Sequence, residues 1–318
     1  KAPVIGAGNG VRISKAFESL AAMADLLGAP VVTTVLGKGA IAEIHDMAAG
    51  PMGYTGLPLA NEIVGMADTV LVVGSRLKPQ DTCFEHPDMF DPNRQRIVQI
   101  DIEARNASWT IPAEVALVGD ANETLTLMLS GLDGRLDAST IAARRKALVD
   151  LKAARKFFAD PMLASANMPI APQRLVAEIH AAVPTEAIVC TDAGSNRHWM
   201  NHFFQTRRPN SYFGSGGLGG VSWSLPATLC AKILDPARPA IGICSDGGFA
   251  MQMHVLLTAA QYDANPVYVV MNNSRLGMTA EGMGNQSHGN DFPDTDYAGI
   301  ARACGAWAER VESPDDIA

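Results

Sequence analysis

The stretch AIGICSDGGFAMQMHVLLTAAQYDANPVYVVMNN, residues 240–273, decides the fold. It opens on an apolar run, 240–244, that ends in Ser245-Asp246-Gly247-Gly248. A helical stretch at 252–261 follows. A second apolar run, 267–271, then ends in Asn272-Asn273. Short apolar runs without alternation are strands covered on both faces, as in a parallel sheet. The 24 residues between Gly247 and Asn272 suffice for one helix and one return strand, a parallel crossover. Asp246 and Asn273 therefore stand at the carboxyl ends of neighbouring strands, the edge where open α/β sheets bind ligands.

The pattern repeats outward. Residues 172–182 read as a helix begun by Pro172, 187–191 as a strand, 215–220 as a glycine-rich loop and 226–233 as a helix. Towards the start, strands are expected at 3–5, 31–35, 69–73, 96–101 and 115–118. A helix capped by Ser14 is expected to carry Phe17, Leu20, Ala24 and Leu27 up to Gly28, with further helices at 60–67 and 121–129. Between the two blocks, 142–156 is rich in Arg and Lys and reads as a solvated linker helix. The expectation is α/β with two doubly wound parallel-sheet domains: 1–133, a linker at 134–168, and 169–318.

Composition narrows the function. The chain has 318 residues, with 25 Lys and Arg against 33 Asp and Glu, a net charge of −8 that argues against a nucleic-acid partner. Charged residues are 18 % and apolar ones 47 %, which excludes a disordered scaffold. No apolar run approaches the ~18 residues of a membrane span. The chain opens at Lys1 without a signal peptide, so the numbering is expected to begin inside a longer product. Five scattered cysteines without CxxC spacing fit a reducing cytoplasm and no zinc site. His198 and His202 have ligand spacing but no acidic partner nearby. Gly6-Ala7-Gly8-Asn9-Gly10 lacks the spacing of a dinucleotide loop and reads as a tight turn, which leaves a dinucleotide-binding oxidoreductase as the weaker alternative.

The residues at 246–273 carry the chemistry. A carboxylate and an amide oxygen are hard ligands suited to Mg²⁺. Gly247 and Gly248 bare their N–H groups at a helix start, where phosphate binds well. Together they describe a site for Mg²⁺ and a diphosphate.

Ser245-Asp246-Gly247 with Asn272-Asn273 resembles the motif of the thiamin-diphosphate-dependent enzymes. Three further blocks resemble the same family: Ser215-Gly216-Gly217-Leu218-Gly219 with Leu225-Pro226-Ala227; Thr191-Asp192-Ala193-Gly194; and Leu36-Gly37-Lys38-Gly39-Ala40-Ile41, Ala60-Asn61-Glu62 and Val72-Val73-Gly74-Ser75-Arg76. The likeness runs along the whole chain and is greatest to the acetolactate synthase and benzoylformate decarboxylase branch. It implies a central, transhydrogenase-like domain followed by the diphosphate-binding domain. It implies Mg²⁺ held by the side chains of Asp246 and Asn273 and the carbonyl of Arg275. Gly194, Ser195, Asn196, Gly247 and Gly248 would line the diphosphate. The carbonyl of Gly219 and the N–H of Val221 would meet the aminopyrimidine, with Val221 as the wedge that bends the cofactor; these two are the residues expected to act on catalysis. The implied reaction is decarboxylation of a 2-oxo acid, with or without carboligation, in a homodimer or homotetramer.

The departures also carry expectations. Ser245 stands for the family's glycine, and Val221 for a bulkier Met, Leu or Ile. Leu77-Lys78-Pro79-Gln80 and Tyr54-Thr55-Gly56 replace the segments that hold FAD in acetolactate synthases, so no flavin is expected. The family's activating glutamate lies in an N-terminal pyrimidine-binding domain that would precede Pro3, and the family's last helix and strand would follow 318. The chain alone is therefore expected to bind cofactor without turning over, and a non-catalytic remnant is the other alternative.

Overall fold

The computed structural model describes residues 2–317, which form two units. The first contains the residues up to Phe158 together with Gln205–Asn210; the second contains Ala159–Phe204 and the residues from Ser211 on.

In the first unit the elements run β1 (Pro3–Ala7), α1 (Asn9–Ile13), α2 (Phe17–Leu27), β2 (Val31–Thr33), β3 (Ala48–Pro51), α3 (Pro58–Met66), β4 (Thr69–Val73), β5 (Arg96–Asp101), β6 (Val115–Val118), α4 (Ala121–Leu132) and α5 (Ala138–Ala154). The strands lie in the order β3-β2-β1-β4-β5-β6, and every pair is parallel. Ile5 at the centre pairs with Val31 on one side and Leu71 on the other. The chain winds outward from β1 in one direction and then, from β4, in the other. Right-handed crossovers put the two sets of helices on opposite faces. The core is the apolar strand residues with Leu20, Met23 and Ala24 of α2, three and four residues apart on one helix face.

Local chemistry sets several ends. Gly28 closes α2 with φ +58, a left-handed conformation that glycine adopts without strain. Asp120 caps α4 by accepting from the N–H groups of Asn122 and Glu123. Ser14 does not cap the long helix. It follows α1, and α2 begins after Ala16 without a side-chain cap. The strand expected at 31–35 ends at Thr33, because Thr34 accepts from Gly37 N–H and opens a 3-10 turn.

The glycine run serves packing. Gly8 and Gly10 lie against the backbone of Gly74 at the end of neighbouring β4, with Gly8 N–H donating to Val73 O and Gly10 N–H to Gly74 O. Protein backbone fills the space that a ligand would need beside these glycines. A Cβ at Gly10 would overlap Gly74 Cα. Gly10→Ala is expected to destabilise the chain by about 1–3 kcal/mol, the usual cost of overpacking. Urea denaturation measures it, and an unchanged midpoint would contradict this packing role.

The basic helix α5 is largely exposed, with Leu148 alone buried, as a solvated helix would be, but two of its cations reach α2. Arg144 donates to Leu27 O at 2.6 Å and Arg145 to Asp25 Oδ1 at 2.6 Å, so its cations meet the carbonyl end of α2. Residues 134–158 cluster with the first unit. Gln205–Asn210 also belong there: Thr206 N–H donates to the buried carboxylate of Glu43, whose other partner is the buried ammonium of Lys38.

In the second unit the order is α6 (Pro172–Ala182), β7 (Ile188–Thr191), α7 (Ser195–Phe203), β8 (Tyr212–Gly214), α8 (Ser224–Leu234), β9 (Ala240–Ser245), α9 (Asp246–Gln252), α10 (Val255–Gln261), β10 (Val267–Met271), α11 (Gly277–Gly282) and α12 (Tyr297–Ala303). The sheet is β10-β9-β7-β8, again parallel throughout. From β7 the chain moves to β8, then returns across β7 to β9 and β10. The loops leaving β7 and β9 therefore diverge, and the crevice between them is the switch point where α/β sheets hold ligands. The helix expected at 252–261 corresponds to α10, which starts later, after a break at Met253-His254; a separate helix, α9, starts directly at Asp246.

Candidate functional site

The register places the site. Met271 of β10 pairs with Ser245 of β9, and Thr191 of β7 pairs with Ile243. Asp192, Asp246 and Asn273 thus leave three adjacent strands at the same edge. Asp192 and Asp246 flank the β7/β9 crevice, and both are fully buried.

Asp246 is held by backbone donors. Its Oδ1 accepts from Gly247 N–H at 2.7 Å and its Oδ2 from Arg275 N–H at 3.1 Å. Each oxygen keeps a second lone pair for a cation. Asn273 is exposed, and its amide forms no hydrogen bond with the described residues. A Cβ on Gly277 would lie 3.2 Å from Asn273 Nδ2 and 3.7 Å from Ser195 Oγ. The starts of α7 and α11 and the end of β10 therefore converge. A hard carboxylate and an uncommitted amide oxygen at adjacent strand ends fit a Mg²⁺ ion. Among the described residues no cluster of three His, Cys, Asp or Glu could hold a metal. His198 and His202 make no such site, and burial, with Arg197 and His202 adding to it, pushes the His198 imidazole down to about 4.

Gly247 and Gly248 are packed closely against neighbouring side chains. A Cβ on Gly247 would come within 3.0 Å of Leu276 and 3.2 Å of Phe292, and one on Gly248 would overlap the Asp192 carboxylate. Gly194 precedes α7 with φ +112, a conformation open to glycine. It leaves the first N–H groups of this nine-residue helix facing the crevice edge, where an anion is stabilised. Asn196 is buried. Its amide donates to Ala193 O at 3.2 Å and its Oδ1 has no partner. In this arrangement it shapes the turn, and its remaining atom is an acceptor.

Ser245 has a role that the sequence did not reveal. Its hydroxyl accepts from Gly248 N–H at 3.1 Å and caps α9, which occupies a donor that a phosphate oxygen would use. Ser245→Gly frees that donor, and a Ser-to-Gly change at a cap costs only a few tenths of a kcal/mol. The variant is expected to bind inorganic pyrophosphate with Mg²⁺ about two- to tenfold more tightly, the worth of one net hydrogen bond. Weaker binding by calorimetry would contradict the competition.

The glycine-rich loop is open. Gly217 and Gly219 have φ +61 and +68, and a Cβ on either would meet nothing within 4 Å. Glycine is required there by conformation. Leu218 is fully exposed and Val221 is 44 % exposed, so Val221 presents an apolar side chain to open space. The segment 274–292 is pinned at its base. Leu276 N–H donates to Asn290 O, Phe292 N–H donates to Ser274 O, and the Arg275 guanidinium faces Asp291 at 2.9 Å. His254 is exposed at the α9/α10 break.

Residues 1–128 match the family model "Thiamine pyrophosphate enzyme, central domain", and 192–318 match "Thiamine pyrophosphate enzyme, C-terminal TPP binding domain". Among curated relatives, the "Probable acetolactate synthase large subunit" of Methanocaldococcus jannaschii is 33 % identical over 99 % of this chain and 54 % of its own length. The "Sulfoacetaldehyde acetyltransferase" of Castellaniella defragrans is 28 % identical over 100 % of this chain and 56 % of its own. The "Probable 2-ketoarginine decarboxylase AruI" of Pseudomonas aeruginosa is 31 % identical over 99 % and 54 %. The chain spans about half the length of each. It carries the central and cofactor-binding domains in family order, and so belongs to the thiamine pyrophosphate enzymes.

Proposed function

We propose that this chain is the cofactor-binding part of an enzyme of the acetolactate synthase and sulfoacetaldehyde acetyltransferase type, acting with thiamin diphosphate and Mg²⁺ on a 2-oxo acid. The observation that carries the reading is the pair Asp246 and Asn273 at adjacent strand ends beside the β7/β9 crevice, with one oxygen donor buried and charged and the other uncommitted. Asp246 and Asn273 hold the metal by side chain and Arg275 by its carbonyl. The N–H groups of Gly194 and Ser195 receive the diphosphate; Gly247 and Gly248 close the turn beside it, their N–H groups, expected bare, being bonded to Asp246 Oδ1 and Ser245 Oγ. Gly219 and Val221 offer the backbone and the apolar surface for the rest of the cofactor. When bound, thiamin diphosphate supplies an electron sink for cleavage next to a carbonyl. The chain's residues bind and orient it, and the dry surroundings of Asp246 strengthen the metal contact.

No flavin belongs to this reading. Lys78 and Gln80, in the segment that replaces one that holds FAD in acetolactate synthases, stand near a buried Asp81 in the first unit. A homodimer or larger assembly in a reducing cytoplasm fits the exposed Leu218, Val221 and Trp223 and the free cysteines. No helix among the described residues is long and apolar enough to cross a membrane. The test is calorimetric titration of the chain with thiamin diphosphate. One saturable site that needs Mg²⁺ supports the reading, and binding that is absent or indifferent to chelator rejects it.

A further inference from the structure

We propose that Asp192 is a positioning residue: its carboxylate ties the end of β7 to the first turn of α8 and thereby sets the backbone that carries Val221. The role of Val221 rests on the proposed function; the tie itself does not. Asp192 is fully buried. Its Oδ1 accepts from Ala193 N–H at 2.9 Å and its Oδ2 from Ser222 N–H at 2.7 Å. The N–H groups of Trp223 and Ser224 also point to it. Helix α8 has no side-chain cap of its own. A carboxylate from a neighbouring strand instead lies at its start, bonded to Ser222 N–H just before it.

Two further observations tie this carboxylate to the site. Ser222 has φ +73, a left-handed conformation that serine rarely adopts, and its buried hydroxyl has no partner. Its own contacts do not favour that turn, and the hydrogen bond from its N–H to Asp192 holds it. Upstream, a Cβ on Gly217, Gly219 or Gly220 would meet nothing within 4 Å, so packing does not place the loop 217–221 either. On its other side the carboxylate lies against Gly248, where no side chain would fit. One residue therefore fixes the distance between the diphosphate turn of α9 and the loop that offers Gly219 and Val221. A charge-assisted bond to a buried carboxylate is among the strong ones.

The test compares Asp192→Asn with the wild-type chain in two measurements. Amide hydrogen exchange reads the tie directly: exchange at 222–224 is expected to rise at least about tenfold, the loss of one charge-assisted hydrogen bond, while 195–203 keeps its rate. Ligand affinity reads the consequence: thiamin diphosphate with Mg²⁺ is expected to bind about tenfold more weakly, and inorganic pyrophosphate, which needs only the turns at 194–196 and 246–248, less than about threefold. Unchanged exchange at 222–224 overturns the tie. Equal loss for both ligands, or no loss for either, overturns the positioning role. If the wild-type chain binds neither ligand, the proposed function fails, while the exchange measurement still decides the tie. Should Asp192→Asn not fold, Asp192→Glu, which keeps the charge and displaces it by one methylene, is read the same way.

Discussion

Asp246→Asn is expected to weaken Mg²⁺-dependent binding of thiamin diphosphate at least about 100-fold. The carboxylate is fully buried and oriented by Gly247 N–H and Arg275 N–H. Asparagine keeps the shape but removes the only anion that the proposed metal set contains. It also turns an amide N–H₂ towards one of the two backbone donors. Removing one partner of a buried charge pair costs about 3–5 kcal/mol, which corresponds to more than about 100-fold in affinity. The near-isosteric change makes global unfolding separable: a far-ultraviolet circular dichroism spectrum equal to wild type, with the affinity lost, is the predicted outcome. Wild-type affinity in the variant would remove Asp246 from the metal site.

Asp81→Asn is expected to stabilise the first unit at pH 8 and to lose that advantage below about pH 4. Asp81 is 4 % exposed, and its Oδ1 has no partner. Burial pushes its carboxyl up to about 6, against the opposing pull of the Lys78 and Arg76 charges. The folded state thus binds the proton more tightly than the unfolded chain, so stability is greatest below the unfolded value near 4. It falls as pH rises through the window up to about 6 and is level above it. A shift of about two units corresponds to at most ~3 kcal/mol. The amide leaves a buried polar atom unpaired, which costs about 1–3 kcal/mol, so the net gain at pH 8 is about 1 kcal/mol. Urea melts at pH 8 and pH 4 measure it. A difference between variant and wild type that does not change with pH would show that the carboxyl titrates normally.

The sequence was legible where burial alone dictates structure. Thr69–Val73, Arg96–Asp101, Val115–Val118 and Val267–Met271 coincide with the expected strands, since strands of a parallel sheet are rich in apolar, β-branched residues. The edge strands Val115–Val118 and Val267–Met271, neither with a buried residue, keep that composition. It was less legible where tertiary contacts decide. Ala48–Pro51 contains no β-branched residue and becomes a strand by pairing with β2. Ser195–Phe203 carries two histidines and two asparagines, which obscured its helical face. The α9/α10 break has no glycine or proline to mark it. The charged helix α5 is mostly exposed, but two of its cations, Arg144 and Arg145, reach α2, partners that no local pattern reveals.

The site divides in the same way. Asp246, the glycines at 247 and 248, and Asn273 could be placed at one sheet edge from strand ends and spacing. The parts that depend on long-range geometry could not. The buried acceptor at Asp192 and the left-handed Ser222 depend on residues 30 positions apart or on a backbone angle, whereas the capping hydroxyl of Ser245 is a local contact three residues on that a serine before Asp246 could have signalled.

The most direct test is the position of the metal. Crystals of the chain grown with thiamin diphosphate and Mn²⁺ in place of Mg²⁺ would locate the ion by its anomalous scattering. The account predicts one strong peak at about 2.1–2.2 Å from a side-chain oxygen of Asp246 and from that of Asn273, the range for a hard divalent ion of this size. A peak elsewhere, or cofactor bound at the β7/β9 edge with neither side chain on the metal, would contradict it.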